Sequence, residues 1–197
     1  MSTFLTNPLW FLTRSTGVIS FVLLTATVTL GLLSTLRTSS TRWPRYLTQG
    51  LHRNLSLLAV AFLAGHIVTT ILDGYVPIGW ANAVVPFDTG YRTLWLGLGT
   101  LAVDAIVVLV LTSLVRVRLG YRAWRAVHGV AYATWPLAVG HFLGTGTDRG
   151  TRWALGLVLL SGALVLGALA VRLSAADAEP GAPVVTGRAR PEIRVSR

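Results

Sequence analysis

Five apolar stretches dominate the sequence, and each is close to the ~20 residues that a helix needs to cross a bilayer. They run from Leu9 to Leu36, His52 to Leu72, Thr93 to Val115, Ala126 to Gly144 and Trp153 to Leu173. Backbone polar groups in lipid must be hydrogen-bonded within their own segment, so such stretches fold as helices. The sequence therefore predicts an all-α membrane protein, with residues 1–173 forming a bundle of five transmembrane helices.

Composition supports a membrane protein and narrows its chemistry. The chain is 53% hydrophobic and 12% charged, whereas a soluble domain is typically about a quarter charged. It contains no cysteine, which excludes disulfides, iron–sulfur clusters and thiolate ligands. The net charge of +10 does not indicate nucleic acid, because the arginines lie between the apolar stretches as topology signals. The use of arginine without lysine fits a GC-rich bacterial genome.

The charges of the connecting segments predict the orientation of the chain. The first and third connections are rich in arginine, and they carry Arg37, Arg42, Arg45, Arg116, Arg118, Arg122 and Arg125. By the positive-inside rule both lie in the cytoplasm, which puts the N-terminus outside and the C-terminus inside a multi-pass plasma-membrane protein. The second connection is apolar but broken by proline and glycine, and we expect it to fold over the outer mouth of the bundle. Residues 174–197 have the composition of a disordered cytoplasmic tail.

The four histidines of the chain fall two and two on the second and fourth stretches. His52 and His66 are 14 residues apart, and His128 and His141 are 13 apart, which is about 20 Å along a helix in both cases. Both stretches cross in the same direction, so His52 meets the depth of His128, and His66 meets the depth of His141. Two facing helices can thus supply two axial ligands at each of two depths, as six-coordinate haem requires.

An ideal helix places the two histidines of the second stretch on one face, but it does not do so for those of the fourth stretch. At 100° per residue His66 lies about 40° from His52, whereas His141 lies about 140° from His128. Pro136 lies between the latter two and predicts a kink or local tightening that restores a common face. The alternative is that the histidines only hydrogen-bond a neighbouring helix or lie at the interface. Zinc and copper are disfavoured, because the two depths are too far apart to share an ion.

Cationic side chains near each depth are candidate partners for the anionic propionates of haem. Arg53 and Arg125 lie at the inner depth, and Arg14 lies at the outer one. For the loop arginines a role in topology explains the sequence equally well, whereas Arg14 lies within an apolar stretch and needs a partner. Asp104, in the middle of the third stretch, also needs one, and we expect a structural polar contact there.

Glycines flank three of the histidines. Gly65 precedes His66, Gly140 precedes His141, and Gly129 follows His128. Such glycines either let a flat macrocycle approach the backbone or allow neighbouring helices to pack closely, and the sequence leaves both explanations open.

Several motifs of the chain resemble the ferric-reductase-like transmembrane domain. The spacings H-x13-H and H-x12-H are accompanied by RSTG at 14–17, PFDTGYRTLWLGLGT at 86–100, TSLVR at 112–116 and YRAWRAVHGVAYATWP at 121–136. Ferric reductases, NADPH oxidases and the haem-binding membrane subunit of the methionine-sulfoxide reductase system share this domain. The resemblance implies two b-type haems, an inner one held by His52 and His128 and an outer one held by His66 and His141. It also implies electron transfer from inside to outside.

The resemblance bears on the partners as well. Ferric reductases and NADPH oxidases carry a cytoplasmic flavin- and nicotinamide-binding domain after the last span, whereas here about 24 residues follow it, without a glycine-rich nucleotide motif. We therefore expect the electron-transfer subunit of an oxidoreductase system rather than a complete enzyme, with any flavin on a partner or loosely bound. The donor would be a separate flavoprotein or membrane quinol, and the acceptor extracytoplasmic. The alternatives are a small proton-coupled transporter that uses Asp104 and a cofactor-free membrane scaffold.

Overall fold

The computed structural model of this protein describes residues 8–34 and 45–177. Its helices are α1 (Pro8–Ser34), α2 (Arg45–Asp73), α3 (Thr93–Leu114), α4 (Arg116–Leu119), α5 (Tyr121–His128), α6 (Ala131–Thr145) and α7 (Arg152–Asp177), and a 3₁₀ turn covers Trp80–Ala83. Within these residues there is no strand, so the predicted all-α class is confirmed. The predicted tail falls mostly outside the described residues, and its first four residues, 174–177, belong to α7.

In the described part of the chain, four helices are long and apolar enough to cross a membrane, namely Pro8–Ser34, Tyr46–Asp73, Thr93–Leu114 and Arg152–Ala175. The fourth predicted span, Ala126 to Gly144, is divided, because α5 ends at His128 and α6 begins at Ala131. Neither piece alone reaches the ~20 residues of a span. Four of the five predicted spans are thus single long helices, and the fourth predicted span is instead two shorter helices.

Helix α1 is the central element of the bundle, since it contacts α2, α6 and α7. Val28 and Leu32 of α1 are buried against Val165 and Ala168 of α7. The faces that point away from the bundle are apolar, and Leu159 of α7, for example, is 64% exposed. Apolar side chains on the outside of helices that bury few residues are what a lipid environment favours, so the fold agrees with a membrane protein.

The connection between α2 and α3 packs against α3. The Thr100 hydroxyl donates a hydrogen bond to the backbone oxygen of Asn82 at 2.9 Å. The ring of Phe87 lies against Gly97, where any Cβ would overlap it, and Phe87 itself has a φ of 63°. Residues of this connection also line a large cavity inside the bundle, described below, which accords with the expectation that the connection folds over a mouth of the bundle.

The junction between α5 and α6 changes the helical phase. Val130 and Ala133 donate backbone hydrogen bonds to the carbonyls of Val127 and Val130, three residues earlier, at 3.0 and 2.9 Å. This pattern is that of a 3₁₀ turn, which advances about 120° per residue. Each such residue adds about 20° to the turn of an α-helix, so the 140° offset of an ideal helix is reduced. The tightening expected at Pro136 thus begins earlier, directly after His128.

Candidate functional site

A continuous cavity of ≈ 2120 Å³ lies between α1 and α2 on one side and α3, α5 and α6 on the other, and all four histidines line it. Cavities that hold one small ligand or cofactor usually measure about 300–1,000 Å³. The volume therefore accommodates more than one such group.

The histidine rings face one another in two pairs. The ring centroids of His52 and His128 are 6.5 Å apart with an interplanar angle of 68°, and those of His66 and His141 are 6.3 Å apart with an angle of 81°. We refer to these pairs as the 52/128 level and the 66/141 level. Within the described residues no group of three or more metal-ligating side chains occurs. Each level thus offers two facing imidazoles, an arrangement suited to axial ligation rather than to chelation.

Three of the rings are oriented by backbone carbonyls of the neighbouring helices. Nδ1 of His66 lies 2.9 Å from the carbonyl oxygen of Thr13, and Nδ1 of His52 lies 3.1 Å from that of Thr27. Nδ1 of His141 lies 3.0 Å from the carbonyl oxygen of Trp95. A carbonyl can only accept, so Nδ1 carries the proton in all three rings and Nε2 keeps its lone pair. Neutral histidines with this second contact are typical of metal ligands.

A glycine one helical turn after each of these carbonyls contacts the same ring. Gly17 follows Thr13 and faces His66, Gly31 follows Thr27 and faces His52, and Gly99 follows Trp95 and faces His141. In a helix the carbonyl of residue i points toward residue i+4, so a side chain at i+4 covers it and a glycine leaves it open. A Cβ on Gly17 would lie 2.9 Å from the His66 ring, and one on Gly99 would overlap that of His141.

His128 lacks this arrangement. Its Nδ1 is buried and has no hydrogen-bond partner among the described residues. Its ring stacks on Trp124 instead, with centroids 4.8 Å apart and an interplanar angle of 27°. The Trp124 indole in turn donates to Ser113 Oγ of α3 at 3.4 Å. The four candidate ligands are therefore not equivalent.

Arg14 and Asp148 form an ion pair at the end of the cavity near His66. The Arg14 guanidinium also lies 4.5 Å from the centroid of the Trp10 ring. This pair provides the partner that the sequence requires for an arginine within an apolar helix, and it joins α1 to the connection between α6 and α7. A guanidinium has five N–H donors, so the ion pair leaves Arg14 able to bind a further anionic group.

Arginines also line the opposite end of the cavity. Arg53 and Arg125 are exposed there, and Arg125 donates to the Tyr121 hydroxyl at 3.4 Å. Arg172 of α7 joins them, donating to the Tyr132 hydroxyl at 2.6 Å. Arg172 could not be identified from the sequence as a cavity residue, because it lies at the end of the last stretch, far from any histidine in the chain.

Two of the glycines beside the histidines lie outside the cavity. Gly65 and Gly140 contact Thr16 and Leu98 of the neighbouring helices, so they serve helix packing. Trp135 also lies outside the cavity, and its indole donates to Thr25 Oγ1 at 3.1 Å and packs against the α1–α7 core.

Asp104 is only partly buried and does not line the cavity. Its carboxylate makes no hydrogen bond or ion pair with the rest of the described chain, so the structural contact expected from the sequence is not formed there. Asp104 is therefore separate from the cavity that the four histidines line.

The fold and the site define a class: a helical membrane protein with two levels of paired histidines inside one cavity. Residues 16–139 match the model of the family described as ferric reductase like transmembrane component. This match covers more than half of the chain, so the protein belongs to that family, and the predicted resemblance is confirmed. Membership indicates a role in membrane electron transfer. No curated protein and no solved structure gave a significant match.

Proposed function

We propose that this protein is a di-haem b membrane subunit that carries electrons between the two faces of the membrane. The observation that carries the proposal is the pair of facing imidazoles at each of two levels in one cavity. His52 with His128 and His66 with His141 would hold the two haem irons. Each haem, when bound, supplies a centre that takes up and releases one electron at a time.

The spacing of the rings supports axial ligation. A metal–imidazole bond measures about 2.0–2.1 Å, so the ligating nitrogens of two imidazoles that hold one metal ion between them would lie about 4 Å apart. The observed centroid distances of 6.5 and 6.3 Å leave room for an ion between the rings, whereas a direct hydrogen bond between the rings would bring them closer.

The residues around the rings have separate tasks. The carbonyls of Thr13, Thr27 and Trp95 hold three imidazoles with Nε2 available to the cavity. Arg14 at one end of the cavity and Arg53 and Arg125 at the other line it and would bind the propionates.

The two levels lie near opposite faces of the membrane only if the chain crosses it in a defined way. The α5–α6 segment spans 25 residues from Tyr121 to Thr145, enough to cross as one broken span. We propose that it does so, giving five crossings with the N-terminus outside and the 52/128 level on the cytoplasmic side. The donor would then be a cytoplasmic flavoprotein or quinol, the acceptor would be extracytoplasmic, and any flavin would be on a partner or loosely bound. Location in a bacterial plasma membrane belongs to the same proposal.

Transfer across a sealed membrane tests this function. Purified protein is reconstituted into vesicles that contain trapped ferricyanide, and a membrane-impermeant reductant is added outside. The proposal predicts that the internal ferricyanide is reduced only in vesicles with haem-loaded protein. The variant His66→Ala/His141→Ala should keep the 52/128 level but lose transfer. Transfer that persists in this variant, or its absence with wild-type protein, would contradict the proposed function.

A further inference from the structure

The two levels differ in how their ligands are held. At the 66/141 level both imidazoles are held by a carbonyl acceptor and a glycine, Thr13 with Gly17 and Trp95 with Gly99. At the 52/128 level only His52 is held in this way. The difference is a property of the helices that face the rings, not of the histidines themselves.

The sequence of α3 explains why His128 has no acceptor. On α1 the two acceptor–glycine pairs are 14 residues apart, Thr27 and Gly31 after Thr13 and Gly17. The same step on α3, from Trp95 and Gly99, leads to Leu109 and Ser113. Ser113 therefore has a Cβ at the position where the other three sites have a glycine.

The Ser113 side chain also has a partner of its own. Ser113 Oγ accepts a hydrogen bond from the Trp124 indole, the ring on which His128 stacks. The place of the fourth carbonyl–histidine contact is thus taken by Trp124.

We propose that His128 is the exchangeable axial ligand of this protein. Given the di-haem function proposed above, the 52/128 level opens to a small neutral ligand such as carbon monoxide, whereas the 66/141 level stays closed. A hydrogen bond donated from Nδ1 orients the imidazole and strengthens it as a ligand, and loss of such a contact typically costs 10–100-fold in metal affinity. In the exchange one Fe–N bond to His128 breaks and one Fe–C bond to carbon monoxide forms, with no change of oxidation state. Trp124 is a positioning residue, because stacking keeps the ring near the iron without fixing its tautomer.

Carbon monoxide binding to dithionite-reduced protein tests the proposal. In wild-type protein the carbon monoxide difference spectrum should correspond to half of the haem. In His66→Ala/His141→Ala the remaining haem should bind carbon monoxide, and in His52→Ala/His128→Ala it should not. Binding by all or none of the wild-type haem, or the reverse pattern in the variants, would overturn it. If a double variant fails to insert into the membrane, the wild-type measurement alone tests the proposal. Protein without haem would overturn the proposed function itself.

A change at Trp124 separates positioning from general packing. Trp124→Ala should raise the carbon monoxide affinity of the 52/128 level by about 10-fold and leave the 66/141 level unchanged. Trp124→Phe keeps a stacking ring but loses the indole donor, and it should have the same carbon monoxide affinity as the wild-type protein. Equal effects of the two variants, or an effect on both levels, would contradict the role of stacking.

Discussion

His66 donates from Nδ1 to the carbonyl oxygen of Thr13 on the neighbouring helix, across 2.9 Å. This contact determines which nitrogen of the ring faces the cavity, and Gly17 makes it accessible. The same relationship links His52 with Thr27 and His141 with Trp95.

Haem counts of single and double histidine variants test the pairing. His66→Ala and His141→Ala should each reduce the haem from two to about one per chain, and their combination should lose no more, because both residues serve one iron. His66→Ala combined with His52→Ala should lose nearly all of it. Haem is counted in purified protein from its pyridine complex. If the His52/His66 variant retains one haem, the pairing is wrong.

A glycine substitution tests the approach of the ring to α1. Gly17→Ala places a Cβ 2.9 Å from the His66 ring, so it should displace the ring and remove the haem of the 66/141 level. Gly65→Ala is the matched control, since its Cβ would lie 3.7 Å from Thr16, an ordinary contact. Haem per chain and thermal stability are measured for both. Equal haem contents in the two variants would show that the contact with His66 does not matter.

The ion pair of Arg14 and Asp148 predicts shifts of opposite sign in reduction potential. Arg14→Gln removes a positive charge beside the 66/141 level, which stabilises the oxidised haem and lowers its midpoint potential. Asp148→Asn should raise that potential. At an effective dielectric constant of ~20 each shift is on the order of tens of millivolts. Redox titration followed by absorbance measures both, with the 52/128 level as the internal reference. Shifts of the same sign would indicate a structural effect instead.

Asp104 distinguishes electron transfer from transport. Because Asp104 does not line the cavity, Asp104→Asn should leave the haem content, the spectrum and electron transfer across vesicles unchanged. A proton-coupled transporter that relied on this carboxylate would lose activity. Loss of vesicle electron transfer in Asp104→Asn, with haem content intact, would therefore argue for a proton-linked role.

Labelling of introduced cysteines tests the topology. The chain has no cysteine, so Val117→Cys and Gly150→Cys each provide one reactive site before and after the α5–α6 segment. If this segment crosses the membrane, an impermeant maleimide added to intact cells should label Gly150→Cys only, and lysis should expose Val117→Cys. Labelling of both from the same side would show that α5 and α6 do not form a span.

The sequence predicts the helices and the facing histidines because hydropathy and spacing act over long stretches. It does not reveal which carbonyls accept hydrogen bonds from the histidines, because every residue has a backbone carbonyl whatever its side chain. The 14-residue step between Gly17 and Gly31, which equals that between His52 and His66, is the one signal that could have indicated them. The division of the fourth predicted span escaped prediction for a different reason: a 3₁₀ turn of a few residues leaves the apolar pattern intact.

The most direct test of the central claim is the haem content of the purified full-length protein, together with its reduced-minus-oxidised spectrum. Two facing imidazole pairs predict two b-type haems per chain with a six-coordinate, bis-imidazole spectrum. A colourless protein, or one haem per chain whose amount does not change in either His66→Ala or His52→Ala, would contradict the account.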